Sequence, residues 1–311
     1  VKSSLLIDEM MDVMKYVDDG CALQDAIVDR SRDGEPLLSK VEKFCTNGAG
    51  GIRFFETDRA CEHSHHPIGF QRRSDFQKWL RLGTVDFAEV FRGFGEATIR
   101  VREAGCSVSE GFDKYAVTYE RNWCLDQPRD QNDLAWLLVH VLKPRVVHSG
   151  TPCTNLGPLG PKNADRATRM QVELTIAIAE HQHRLGRGVS IENPKNSLLF
   201  EQPAINRLAG ERSCPKPGWH FFHADGCQLG MFYPGIDNYG CPIEKSWCWL
   251  SNFDLSNIEL RCRQPHALVP SSHAHHHARG GMKVEGEGWQ SVATHSGRYT
   301  PELGAVYAQH V

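Results

Sequence analysis

From Val85 onward, short apolar runs alternate with segments of helical length, and that rhythm restricts the chain to β-α-β units on a largely parallel sheet. The runs are Val85–Phe91, Cys106–Phe112, Arg145–Ser149 and Gly188–Ile191. Between them Glu96–Ala104, Asn132–Leu142 and Ala164–Arg184 read as helices, the last with Met170, Leu174, Ala177 and Ile178 on one face. The pattern predicts an α/β, doubly wound, mostly parallel sheet whose ligands sit at the carboxyl ends of the strands. After about Ser197 the rhythm loosens, although Trp247–Phe253 reads as a late strand and Pro301–His310 as a closing helix. Residues 1–82 stand apart: Leu5, Met10, Met11 and Met14 fall at helical spacing, and a glycine-rich loop follows at Asn47–Gly51. The expected division is therefore a mainly helical amino-terminal region of unassigned role, 1–82, and an α/β domain, 83–311.

Composition narrows the class. With 311 residues, 40% hydrophobic and 23% charged, the chain can bury a full core, and no apolar run approaches the roughly 20 residues of a membrane span. A net charge of −3 argues against a protein that coats nucleic acid through bulk charge, so any such contact needs a local patch. The eleven cysteines form no C-x-x-C pair, and the first fifteen residues mix charges with apolar side chains. Reduced thiols, no signal peptide and an intracellular location are expected. Two Cys/His groups, Cys61–His66 and Cys262 with His266, His273, His275, His276 and His277, match no standard zinc spacing, and no metal ligand is assigned.

Three segments carry chemistry. Asp86-Phe-Ala-Glu-Val-Phe-Arg-Gly-Phe-Gly95 runs a strand into a Gly-x-Gly turn and then a helix, where backbone can approach a ligand and the helix start favours anionic groups. Asp113 lies about 20 residues past the glycines, where a ribose hydroxyl would be gripped. The second segment, Ser149-Gly-Thr-Pro-Cys-Thr-Asn-Leu-Gly157, sets Cys153 behind Pro152 at a strand's carboxyl end, as a nucleophile or as an ordinary structural thiol. The third, Ser190-Ile-Glu-Asn-Pro194, offers Glu192 either to a nucleobase or as part of a plain turn. For Glu192 to donate to a ring nitrogen near neutrality, its pKa must rise to about 7, a bias of roughly 3.7 kcal/mol that burial can provide.

In this order and spacing the three segments resemble the cytosine-C5 methyltransferases, firmly over Val85–Pro194 and faintly beyond. The resemblance implies a Rossmann-like class I methyltransferase fold, S-adenosyl-L-methionine as cofactor, and a nucleic-acid partner, DNA ahead of RNA. It implies that Cys153, presented by Pro152, attacks C6 of cytosine while Glu192, beside Asn193, engages N3 and the exocyclic amine. Phe91, Gly93, Phe94 and Gly95 would line the methionine end of the cofactor, Phe112 would stack near the adenine, and Asp113 and Asp126 would hold ribose and adenine. The family's ribose-binding acid aligns with Gly111, so Asp113 or Glu110 takes its part. Pro194 stands where the family has valine, and Lys245 or the Arg261/Arg263 pair replaces the family's later arginine motif. A degenerate domain that binds cofactor or nucleic acid without turnover is the alternative class. A nicotinamide dehydrogenase would leave the Pro-Cys and Glu-Asn-Pro segments unexplained.

Overall fold

Phe87–Val90 (β1) is buried at every position, as a strand covered on both faces must be. In the computed structural model the described residues are 82–119, 121–156, 165–235, 239–262, 275–278, 280–284 and 288–311. The expected amino-terminal helices, the first Cys/His group and most of the histidine-rich stretch lie outside them. By internal contacts the chain forms two units, residues 1–83 with 128–143 and residues 84–127 with 144–311. Among the described residues no helix is long and apolar enough to cross a membrane.

In the larger unit β1 leads into Glu96–Glu103 (α1). In the smaller unit, Pro128–Trp136 (α2) begins earlier than the apolar spacing suggests, with proline at its first position, where no amide hydrogen is needed. It continues as a π-helical turn, Leu137–Leu142, that ends at Lys143 with φ 41°. The larger unit resumes with Val146–Ser149 (β2), Arg166–Arg184 (α3) and Gly188–Pro194 (β3). Pro203–Ala209 (α4) and the small pair Gly210–Glu211 (β4) and Cys214–Pro215 (β5) follow. Then come His220–Asp225 (β6), Ile243–Glu244 (β7) and Ser246–Ser251 (β8). His276–His277 (β9), Gly281–Val284 (β10), Gly288–Ser291 (β11), Val292–His295 (α5) and Pro301–Ala308 (α6) complete it.

The main sheet has the order β1-β2-β3-β8-β6, with β1, β2 and β3 parallel and β8 antiparallel to both its neighbours. This is the α/β, mostly parallel sheet expected, with antiparallel strands confined to one side. Helices cover both faces. Val189, Ile191, Cys248 and Leu250 join residues of α3 and α4 in one core, whereas Phe87, Val146, Trp247 and Trp249 join residues of α1 and α6 in the other.

Three sequence expectations change. The run Cys106–Phe112 is not a continuous strand; it touches β1 through two parallel bridges, Val108 to Phe87 and Phe112 to Val90, because Gly111 turns left-handed at φ 77°. The Glu192-Asn193-Pro194 segment is not a turn. It extends β3, since Trp249, Cys248 and Trp247 of β8 lie in register opposite it, and the proline falls at the last position of the strand. Helix α3 starts at Arg166, capped by Asp165, whose carboxylate accepts the Thr168 N–H at 2.7 Å. Its buried residues are Thr168, Val172, Leu174, Thr175, Ile176, Ile178, Ala179 and Gln182, so Leu174 and Ile178 face the core as their spacing implies while Met170 and Ala177 are half-exposed.

Candidate active site

The sheet order fixes where a ligand belongs. After β1 the chain passes to the Val108–Phe112 segment on one side and then returns to β2 on the other, so the strand order reverses between β1 and β2. In open α/β sheets the ligand crevice lies at the carboxyl ends of the strands beside that reversal. Both the Gly-x-Gly turn and the Pro-Cys loop leave from there.

The first turn is built around a buried acid. Gly95, at φ 74°, has no side chain to cap α1; instead Glu89 of β1 accepts the Thr98 N–H at 3.0 Å and the Thr98 hydroxyl. Thr98 stands where a dinucleotide fingerprint has its third glycine, and its hydroxyl holds the strand to the helix. Burial pushes Glu89 up to about 7 despite the two Thr98 donors. The gap from the ordinary 4.5 to about 7 corresponds to roughly 3 kcal/mol of stability, present in full below pH 4.5 and lost as pH rises through 7. Glu89→Gln should remove this dependence, so the variant melts above the parent at pH 9 and not at pH 5. Parallel pH profiles of parent and variant in thermal melts would contradict that assignment.

Gly93 has φ 53° and is exposed, and a Cβ built on it would meet nothing within 4 Å. Phe91, at φ 57°, enters the turn, and Phe94 is 55% exposed beneath the Arg298 guanidinium, 3.8 Å from its ring centre. Asp113 does not point freely outward: one carboxylate oxygen accepts the Gly93 N–H at 3.0 Å and the other the Tyr115 N–H at 2.9 Å. It therefore fixes the glycine turn, with further lone pairs left to accept a hydroxyl. Phe112 is fully buried, edge-on to Trp123 at 4.9 Å, and forms a wall rather than an open stacking face. Asp126 is half-buried, close enough to Lys114 to act on its charge. Gly111 leaves no room for an acid: a Cβ there would lie 2.6 Å from the Arg92 side chain, which reaches over to the Glu110 carbonyl.

The Pro-Cys loop is pinned on three sides. The Gly150 N–H donates to the Val90 carbonyl at 3.0 Å, the Thr151 hydroxyl meets Thr175 of α3 at 2.8 Å, and Asn193 Nδ2 donates to the Thr151 carbonyl at 2.6 Å. Asn193 is thus a clamp between β3 and the loop, and its Oδ1, buried, has no hydrogen-bond partner among the described residues. Pro152 is half-buried and Cys153 exposed. Partial burial pushes the Cys153 thiol up, the Lys245 ammonium pulls it down, and the Glu192 carboxylate pushes it up again.

Glu192 is 9% exposed, and burial raises it to about 7, opposed by Lys245 and by the Tyr299 hydroxyl, which donates to Oε2 at 2.8 Å. Behind it runs a buried chain of polar groups. His148 Nε2 lies 2.9 Å from the Tyr299 hydroxyl and Nδ1 lies 2.9 Å from Ser190 Oγ, which in turn meets the Tyr307 hydroxyl at 2.8 Å. Burial drives His148 down to about 3, so the ring is neutral and stacks on Trp249. With Tyr299 donating to Glu192, the His148 proton sits on Nε2 and Ser190 donates to Nδ1. Cys153, Glu192 and Lys245 form an electrostatically linked trio, placed by β2, β3 and the start of β8.

The sequence did not mark Glu89, His148 or Tyr299. Glu89, an acid inside an apolar strand, was the one visible signal. Arg261, offered with Arg263 in place of the missing arginine motif, acts on His223 and Cys248, and Arg263 lies outside the described residues; Lys245 acts on both Cys153 and Glu192. No protein-family model matches the chain, and no curated protein matches it. Among solved structures, the Dnmt2 methyltransferase of S. pombe is similar at 11% identity and a TM-score of 0.35, over 59% of this chain and 57% of that one. The sheet order itself shows the α/β fold.

Proposed function

We propose that this chain is an S-adenosyl-L-methionine-dependent methyltransferase that acts on C5 of a cytosine in nucleic acid, DNA ahead of RNA, through Cys153. The observation that carries this reading is that the Cys153 loop after β2 and Glu192 at the end of β3 are held together by the Asn193–Thr151 hydrogen bond, beside a glycine turn with open space above Gly93. That turn suits a nucleoside amino acid, with Phe91, Gly93, Phe94, Gly95, Phe112, Asp113 and Asp126 as the residues around it. When bound, the cofactor would supply an electrophilic methyl group.

The chain's own groups would prepare the base. Protonation of Glu192 removes the charge that raises the Cys153 thiol, so a neutral Glu192 and a Cys153 thiolate favour each other beside the Lys245 ammonium. The same state serves both roles. The sulfur forms a bond to C6 as the C5=C6 π pair shifts toward C5, and the Glu192 proton, donated to N3, stabilises the charge that develops on the ring. Once C5 is substituted, its proton passes to solvent water, the freed pair restores C5=C6 as the C6–S bond breaks, the thiolate returns and N3 gives its proton back to Glu192. Because C5 and C6 are poorly accessible in a duplex, the target cytosine would be extruded or single-stranded. The larger unit, residues 84–127 and 144–311, would carry the catalysis, and of the expected 83–311 domain the segment 128–143 falls in the other unit.

Incubation with methyl-labelled S-adenosyl-L-methionine and separate DNA and RNA pools tests the proposal. Label recovered in 5-methylcytosine nucleosides is the expected outcome, and its distribution between the pools identifies the substrate. Cofactor binding without transfer to either pool would replace the enzyme by a binding module.

A further inference from the structure

Cys227, Cys262 and His275, from three separate segments, come together in the larger unit, their ligand atoms all within 4.8 Å of one another. We propose that they bind a zinc-class divalent cation. Spacing alone conceals the site, because 34 residues separate the two cysteines and the histidine comes from a third segment. Cys227 lies in the 3-10 turn Gly226–Leu229, Cys262 follows the β6-paired backbone at Leu260, and His275 precedes β9.

The geometry suits such an ion. With Zn–S near 2.3 Å and Zn–N near 2.0–2.1 Å, tetrahedral coordination sets a sulfur-to-nitrogen edge of about 3.6 Å. Cys262 Sγ and His275 Nε2 lie 3.6 Å apart. Two thiolates and an imidazole are a soft donor set that selects zinc over magnesium or calcium. Three donors leave a fourth position for water or one further ligand. Cys262 is also positioned from outside, since its N–H donates at 2.8 Å to Asp225 Oδ2, while Asp225 Oδ1 accepts the Ser246 hydroxyl at 2.5 Å.

The ion would fasten more than its own loop. Gly226, next to Cys227, donates to the Lys245 carbonyl at 2.7 Å, and β9 beside His275 pairs with β7, which ends one residue before Lys245. Holding these segments together fixes the backbone that carries Lys245. The site does not depend on the methyltransferase reading.

Untagged protein should carry close to one zinc per chain by elemental analysis, and the cobalt-substituted protein should show thiolate-to-cobalt charge-transfer absorption. Cys262→Ser and His275→Ala should each lower the metal content severalfold. Should a variant fail to fold, zinc content and the cobalt spectrum of the parent decide by themselves. No stoichiometric metal and no cobalt band in the parent, or a Cys227–Cys262 disulfide trapped by alkylation at lysis, would overturn the proposal.

Discussion

Cys153→Ala should abolish methyl transfer, by about three orders of magnitude or more, as expected when the nucleophile of a covalent mechanism is removed. Cofactor affinity should stay near that of the parent. The two effects separate because the Pro-Cys loop and the glycine turn are distinct structures. Cys153 contributes its carbonyl to the Leu156 N–H within its own loop, a contact that alanine preserves. The residue is exposed, so the substitution opens no core cavity. Transfer assayed with labelled cofactor, alongside calorimetric binding, reads both quantities. Full transfer by the variant would move the reaction to a direct attack that needs no enzyme thiol.

Gly93→Val should lower S-adenosyl-L-methionine affinity at least about a hundredfold, or roughly 3 kcal/mol. Two effects combine. Gly93 has φ 53°, a region that a β-branched residue adopts at a cost of about 1–3 kcal/mol. A Cβ there meets no protein atom within 4 Å, so the valine would project into the open space assigned to the ligand. Gly93→Ala should lose less, since it adds one carbon and no branching. Circular dichroism should show both variants folded, because that space holds no core side chain. Unchanged affinity in the valine variant, or tight NAD binding by the parent, would take the turn away from this cofactor.

The parts of the fold that were legible in the sequence are those fixed by local pattern. β1, β2, β3, α1 and α3 were readable because each buries a continuous apolar run or stripe between recognisable turn residues. The edge strand β6, His-Phe-Phe-His-Ala-Asp, was missed: the exposed His220 and half-buried His223 break the apolar run, and what holds it is pairing with β8. For the same reason the end of β3 was misread, since Glu-Asn-Pro is good turn chemistry and only the tryptophan-rich β8 opposite it makes it a strand. The site divides along the same line. Cys153, Glu192 and the Gly93 turn stand in local motifs that a sequence shows, and burial raises Glu192 to about 7. Tyr299, 107 residues away from Glu192, could not be paired with it from composition or spacing, nor could His148 with Tyr299, 151 residues apart. Such buried polar chains depend on which elements the sheet order brings together.

In the proposed mechanism Cys153 bonds covalently to C6 of cytosine. An oligonucleotide containing 5-fluorocytosine should trap that bond, because fluorine at C5 cannot leave as a proton does and the adduct persists after methyl transfer. Intact-protein mass spectrometry after incubation with S-adenosyl-L-methionine should show the parent shifted by the mass of the oligonucleotide plus one methyl group, with the link mapped to Cys153, and the Cys153→Ala protein unshifted. An unshifted parent that still methylates ordinary cytosine in the same buffer would contradict the claim.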